Sequence, residues 1–204
     1  MALNLAVLLS GNGTTLQNLV DRIDRGELSA RVTCVVSSRQ DAYGIERARR
    51  HGIPAVVVNR KDFASSADFN AALWRTVRQH PVDFVALAGF MSLLEVPKDF
   101  AGRILNVHPA LIPAFCGKGM YGHYVHEAVL AYGAKLTGAT VHFVDDQYDH
   151  GPIILQASVP VLDDDTPDAL AARVQACERE LFPRAIQLIA EGRVHIEGRR
   201  VRID

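Results

Sequence analysis

The sequence lacks most of the features that would place it in a special class. Its 204 residues hold 3 cysteines, Cys34, Cys116 and Cys177, an odd count with no CxxC spacing. Neither a disulfide framework nor a thiolate zinc site is written here. Charge of one sign is not in excess, since 22 Lys+Arg stand against 23 Asp+Glu for a net of −1. Non-specific nucleic-acid binding runs on surplus Lys and Arg, so no nucleic-acid partner is expected. No long hydrophobic run is present either. The longest apolar stretch, Phe84 to Leu94, is broken by Gly89 and Ser92 and falls short of the roughly 18 residues of a membrane span. Met1 to Leu9 is apolar, but the first basic residue is Arg22, so no secretory leader is expected. Together these absences point to a soluble, cytoplasmic protein with reduced thiols and no membrane association.

What is present is ordinary globular material, 49% hydrophobic and 22% charged, which argues against disorder, collagen or a coiled coil. At about 150 residues per domain the length favours one domain, large enough to bury on the order of 70% of its unfolded surface. Short apolar runs alternate with amphipathic ones. Leu5 to Leu9 reads as a buried strand followed by the turn Ser10-Gly11-Asn12-Gly13. Leu16, Leu19, Val20 and Ile23 then repeat at helical spacing, and Thr14 with Gln17 has the form of a capping box. Val32 to Val36 is a second strand, Asp41 caps a helix that stops at Gly52, and Ala55 to Val58 is a third strand. A helix through Phe69, Ala72, Leu73 and Val77 closes at Pro81, followed by strands at Val82 to Ala88 and Arg103 to Val107. Such alternation with continuous apolar strands implies a parallel sheet covered on both faces. Residues 110–123 read as a long Gly/Pro-rich loop, uncommon in a compact domain unless functional. Thr140 to Val144 and Ile153 to Val161 read as strands joined through Asp149-His150-Gly151-Pro152. Thr166 then caps a long helix with Pro167 at its first position.

Three local patterns carry chemistry. The loop Ser10-Gly11-Asn12-Gly13-Thr14-Thr15 lies between a strand and a helix N-terminus, which presents N–H groups and a positive dipole end to a phosphate. A dinucleotide fingerprint needs a third glycine where Leu16 stands and an acidic residue where the second strand ends in Ser37-Ser38-Arg39. A phosphate monoester therefore fits better than a nicotinamide dinucleotide, although a merely tight turn also accounts for the glycines. Asn106 and His108 are two apart at a strand's carboxyl end and so face one side. An amide donor beside an imidazole suits a developing oxyanion and a proton transfer; a hydrogen-bonded strand-end histidine has the same spacing. Asp149 is the natural carboxylate for that pair, favouring the charged imidazole and orienting water, while an Asp in a turn is also an ordinary turn former. His123, His126, His142 and His150 raise a metal reading, but no HExxH or cysteine cluster supports it, and no metal is expected.

In their order along the chain these pieces resemble the phosphoribosylglycinamide formyltransferases, folate-dependent enzymes of purine synthesis. The matching strings are LLSGNGTTLQNLVD at 8–21, ALAGFMSLLEV at 86–96, ILNVHPALIPAF at 104–115, TGATVHFVDDQYDHGPIILQASVPV at 137–161 and ARVQACERELFP at 172–183. The Asn-x-His-Pro and Asp-x-Gly elements are the specific part. The resemblance implies a Rossmann-like α/β formyltransferase fold, a mostly parallel twisted sheet with helices on both faces and a mixed C-terminal part. It implies a single domain over 1–204, with a ribonucleotide-phosphate half at 1–105 and a catalytic, folate-binding half at 106–204.

The implied reaction moves the formyl group of 10-formyltetrahydrofolate to the amine of 5'-phosphoribosylglycinamide, as a monomer or homodimer. Asn106, His108 and Asp149 fall on the family's catalytic trio. Gly13, Thr14 and Thr15 fall on its phosphate loop, and Glu178 on its acidic ribonucleotide contact. Met91, Ser92, Leu93 and Leu94 fall on the wall beside the folate, with Asp145, Asp146, Gln147, Tyr148 and Asp149 on the loop that closes over it. The chain departs from the pattern at Thr15, where Asn is frequent, and at Ser92 and Ser66, where basic residues are frequent. A deformylase would add an N-terminal regulatory domain, for which no residues precede the first strand. A methionyl-tRNA formyltransferase would add a C-terminal domain, and a nucleotide-binding module would leave the trio unexplained.

Overall fold

The computed structural model describes residues 2–204. The chain forms two compact units, residues 1–105 and 106–204. Its strands make a seven-stranded sheet in the order β3-β2-β1-β4-β5-β6-β7 together with a separate β8-β9 pair.

The first unit holds β1 (Leu3–Leu9), α1 (Thr14–Asp24), β2 (Ala30–Ser37), α2 (Tyr43–Arg50), β3 (Ala55–Val57), α3 (Ser66–Val77), β4 (Phe84–Leu87) and the start of β5 (Ile104–His108). β1 pairs in parallel with β2 and β4, and β2 with β3. Leu5 through Leu9 are all fully buried, as the apolar run requires of a strand covered on both faces. Two capping expectations fail. The residue capping α1 is Gly13, at φ 69 and without a side-chain bond, so Thr14 is already inside the helix and cannot cap it. Gln17 instead donates to Asp21 (2.8 Å) and accepts from Arg47 (3.2 Å). Asp41 is held by Arg39 (2.7 Å), leaving Ala42 to cap α2 without a side-chain bond.

The second unit continues β5 and adds α4 (His123–Tyr132), β6 (Leu136–Phe143), β7 (Ile153–Pro160), α5 (Pro167–Ala190), β8 (Val194–Glu197) and β9 (Arg200–Ile203). β6 and β7 are antiparallel, which is the mixed part of the sheet. The helix α4 is not foreseen by the sequence reading, which ends a loop at 123. Its aromatic and β-branched residues are weak helix formers, and what stabilises it is tertiary. Val125 and Val129 lie one turn apart and pack with Ala110, Val159, Leu170 and Val174. Thr166 does cap α5, accepting the Ala169 N–H at 3.2 Å with Pro167 at the first position. Among the described residues no helix is long and apolar enough to cross a membrane.

Candidate active site

β5 presents Asn106 and His108 on one side, and the turn between β6 and β7 brings Asp149 to both. The His108 Nδ1 lies 3.4 Å from Asp149 Oδ2, and Asn106 Nδ2 donates to Asp149 Oδ1 at 3.4 Å. Both contacts are long, so an oxygen entering between them can replace either. Asp149 itself has φ 52 and is fixed by the Gly117 N–H, which donates to Oδ2 at 2.9 Å. The turn closes so tightly that a Cβ on Gly151 would lie 1.8 Å from the Phe143 carbonyl oxygen. Glycine is therefore a steric requirement for placing Asp149.

Two groups outside the sequence-derived trio orient it. His142 is 1% exposed, and burial pushes its imidazole down from the usual range. Its Nδ1–H donates to the Phe143 carbonyl at 2.7 Å, which leaves Nε2 as the acceptor for Asn106 Nδ2 at 3.2 Å. A neutral histidine thus aims an amide donor. On the other side, His108, itself 3% exposed, donates its Nε2–H to the Phe115 carbonyl at 2.8 Å. The nitrogen that remains for chemistry is Nδ1, facing Asp149. Strand parity would have placed His142 on the same face of β6 as Thr140, but nothing in the sequence marks a backbone carbonyl as a partner.

The remaining candidate residues divide between the units. In the first, Gly13 begins α1 with Thr14 and Thr15 in its first turn. A Cβ on Gly13 would lie 2.6 Å from the Gly44 Cα, so the loop is pressed onto the start of α2. Gly44 N–H donates to the Gly11 carbonyl at 3.1 Å, and Arg47 Nε to the Asn12 carbonyl at 2.8 Å. The segment bearing Met91 to Leu94 is tied to this loop, because the Met91 N–H donates to Ser10 Oγ at 3.0 Å. Met91 and Leu93 are exposed at 52% and 41%, while Leu94 is core. In the second unit Glu178 is half-buried on α5, and desolvation pushes its carboxyl up to about 7, opposed by Arg179. Asp145 accepts the Gln147 N–H at 2.9 Å and pairs with His150 at 2.7 Å; Tyr148 is exposed. The four histidines of the metal reading go to different partners: His123 to Asp168, His150 to Asp145, His142 to Asn106, while His126 is buried.

A family model described as formyl transferase matches residues 3–186. The chain is 46% identical to glycinamide ribonucleotide transformylase 1 of Symbiobacterium toebii, whose crystal structure matches with a TM-score of 0.93 over 99% of this chain and 94% of that one. It is 36% identical over 202 residues to the phosphoribosylglycinamide formyltransferase of Haemophilus influenzae, covering 98% of this chain and 93% of that protein. It is also 40% identical over 193 residues, 94% of this chain, to the trifunctional purine biosynthetic protein adenosine-3 of Gallus gallus, and spans 19% of that longer protein.

Proposed function

The chain belongs to the phosphoribosylglycinamide formyltransferase family, and on that premise we propose that it formylates the amine of 5'-phosphoribosylglycinamide in de novo purine biosynthesis, with 10-formyltetrahydrofolate as the donor. The observation that carries the reading is the convergence of Asn106, His108 and Asp149, with a neutral His142 aiming the Asn106 amide.

The ribonucleotide amine attacks the formyl carbon, a C–N bond forms, and the carbonyl oxygen becomes an oxyanion. The Asn106 Nδ2–H and the His108 Nδ1–H stabilise that oxygen, as preorganised donors do in acyl transfer. Asp149, facing His108 Nδ1, orients the ring and takes the amine proton through water. The proton passes to the folate nitrogen as its bond to the formyl carbon breaks, giving formylglycinamide ribonucleotide and tetrahydrofolate. No covalent enzyme intermediate is required. Gly13, Thr14 and Thr15 hold the ribonucleotide phosphate at a helix N-terminus, and Glu178 contacts its polar part. Met91 and Leu93, exposed on either side of Ser92 and backed by Leu94, offer apolar surface to the folate ring, and residues 145–149 are the folate loop by the same family pattern.

The test is consumption of 10-formylfolate by the purified protein with and without glycinamide ribonucleotide. Turnover that requires the ribonucleotide is the expected result. Equal consumption without it makes the protein a deformylase and overturns the reading.

A further inference from the structure

Two residues other than glycine have positive φ among the described residues, Phe115 (φ 49) and Asp149 (φ 52). They lie against the two ring nitrogens of His108, the Phe115 carbonyl on Nε2 and the Asp149 carboxylate facing Nδ1. A left-handed non-glycine backbone persists only where its surroundings over-determine it. For Asp149 those surroundings are Asn106 and the Gly117 N–H, both within the site. For Phe115, apart from its carbonyl's bond to His108, they lie outside it.

The anchor is Thr140 on β6, fully buried. Its hydroxyl donates to the Ala110 carbonyl at 2.7 Å and accepts the Ile112 N–H at 3.1 Å. It accepts a third bond from Gln156 Nε2 at 3.0 Å. One donor and two acceptor sites are all a hydroxyl has, so Thr140 is saturated. Gln156, its register partner on β7, also donates to the Ile112 carbonyl at 2.9 Å. Ile112 is thus held at both its N–H and its carbonyl by the strand pair. The chain from there to Phe115 has little slack. The Ala114 N–H returns to the Leu111 carbonyl at 3.0 Å, and Cys116 Sγ lies 3.3 Å from the Pro113 carbonyl. The Phe115 ring closes edge-on against Tyr132, 5.7 Å between centroids.

We propose that Thr140 and Gln156 are positioning residues: by pinning Ile112 to the β6–β7 pair they hold the Phe115 carbonyl on His108 Nε2, so that the imidazole keeps a proton there and turns Nδ1 to Asp149 and the substrate. Where the carbonyl moves away, the neutral ring can carry its proton on Nδ1 instead, facing Asp149, and Nε2 loses its partner. Strand β6 then serves the site twice from one face, through Thr140 for the histidine and through His142 for the asparagine. The effect on turnover rests on the function proposed above; the tautomer of His108 does not.

The experiment labels the histidines with nitrogen-15 and reads, in the free enzyme, which nitrogen of His108 carries the proton, with kcat and KM measured on the same preparations. Expected in the wild type, read at alkaline pH where the ring is neutral, is the Nε2–H form; the Nδ1–H that meets the oxyanion is the second proton, carried only by the imidazolium. Thr140→Val should show an Nδ1–H population and lose kcat on the order of 10²-fold, the scale of a small misplacement of a catalytic group, with both KM values nearly unchanged. Thr140→Ser, which keeps the hydroxyl, should restore both readings. Gln156→Met changes an exposed residue and carries the same test if Thr140→Val fails to fold. A folded Val or Met variant with the wild-type tautomer and kcat overturns the proposal, and so does a lowered Tm with those two readings unmoved. A wild type that transfers no formyl group, alongside variants whose tautomer shifts, overturns the function and leaves the positioning role standing.

Discussion

The glycine loop in the first unit and the Asn106–His108–Asp149 cluster in the second both lie at strand ends, yet they are built from different material. The loop is backbone. Gly13 turns the chain at φ 69 with no side-chain cap, its Cα face is pressed onto Gly44, and the preceding carbonyls of Gly11 and Asn12 are tethered by Gly44 and Arg47. The cluster is side chains, and each is aimed by a group on another segment: Asn106 by His142, His108 by Phe115, Asp149 by Gly117. A site made of backbone fails when a Cβ intrudes and tolerates changes of side-chain chemistry. A site made of side chains fails when one atom changes its charge or hydrogen-bonding sense, even with the shape preserved.

The largest expected effect breaks the second kind of site. Asp149→Asn keeps the shape and the contact to Gly117 but removes the charge facing His108. Turnover should fall on the order of 10²–10⁴, the usual worth of a positioned acid–base group, with substrate affinities much less affected. Steady-state kinetics on the single and double variants check it. After His108→Ala the same change should cost far less, because groups acting as a unit are not additive; full additivity would separate Asp149 from the mechanism.

Gly13→Val tests the backbone kind. A β-branched residue at φ 69 is strained by on the order of 1–3 kcal/mol, and its Cβ meets the Gly44 backbone rather than a flexible side chain. Calorimetric affinity for the ribonucleotide should fall together with the denaturation midpoint. Thr15→Ala, which leaves the backbone intact, should change both far less. Equal losses in the two variants would erase the distinction between backbone and side-chain sites.

The smallest effect concerns Glu178, whose burial raises its carboxyl to about 7 from the usual 4.5. Between those two values the folded protein binds more protons at this site than the unfolded chain does. By linkage, stability from this group declines as pH rises through that window and is fully restored below it. Glu178→Gln should flatten that part of the stability profile, measured by chemical denaturation at a series of pH values. A profile unchanged by the substitution would show that the carboxyl is well solvated.

The parts of the fold that could be read in advance are those whose signal is local. Leu5 to Leu9 forms β1 and is buried throughout, Thr166 and Pro167 open α5, and the i, i+2 spacing puts Asn106 and His108 on one side. The misreadings share a cause. Thr14 and Asp41 have the residue type of a cap, but a left-handed Gly13 and the competing Arg39 take the position or the side chain away. Helix α4 has weak propensity and is stabilised by Val159, Leu170 and Val174, which arrive from elsewhere in the second unit.

In the site, strand spacing paired Asn106 with His108 and marked the glycines that turn the first loop, because strand parity and chain reversal act over a few residues; Asp149 joined them as a turn carboxylate placed by the family resemblance. Only the tertiary structure decided which nitrogen of His108 is available, why His142 is neutral and an acceptor, and what holds Phe115 in a left-handed conformation. Those outcomes depend on burial and on hydrogen bonds between residues 1 to 44 positions apart. Desolvation and partner geometry exist only once the chain has folded, and no residue's own chemistry specifies them.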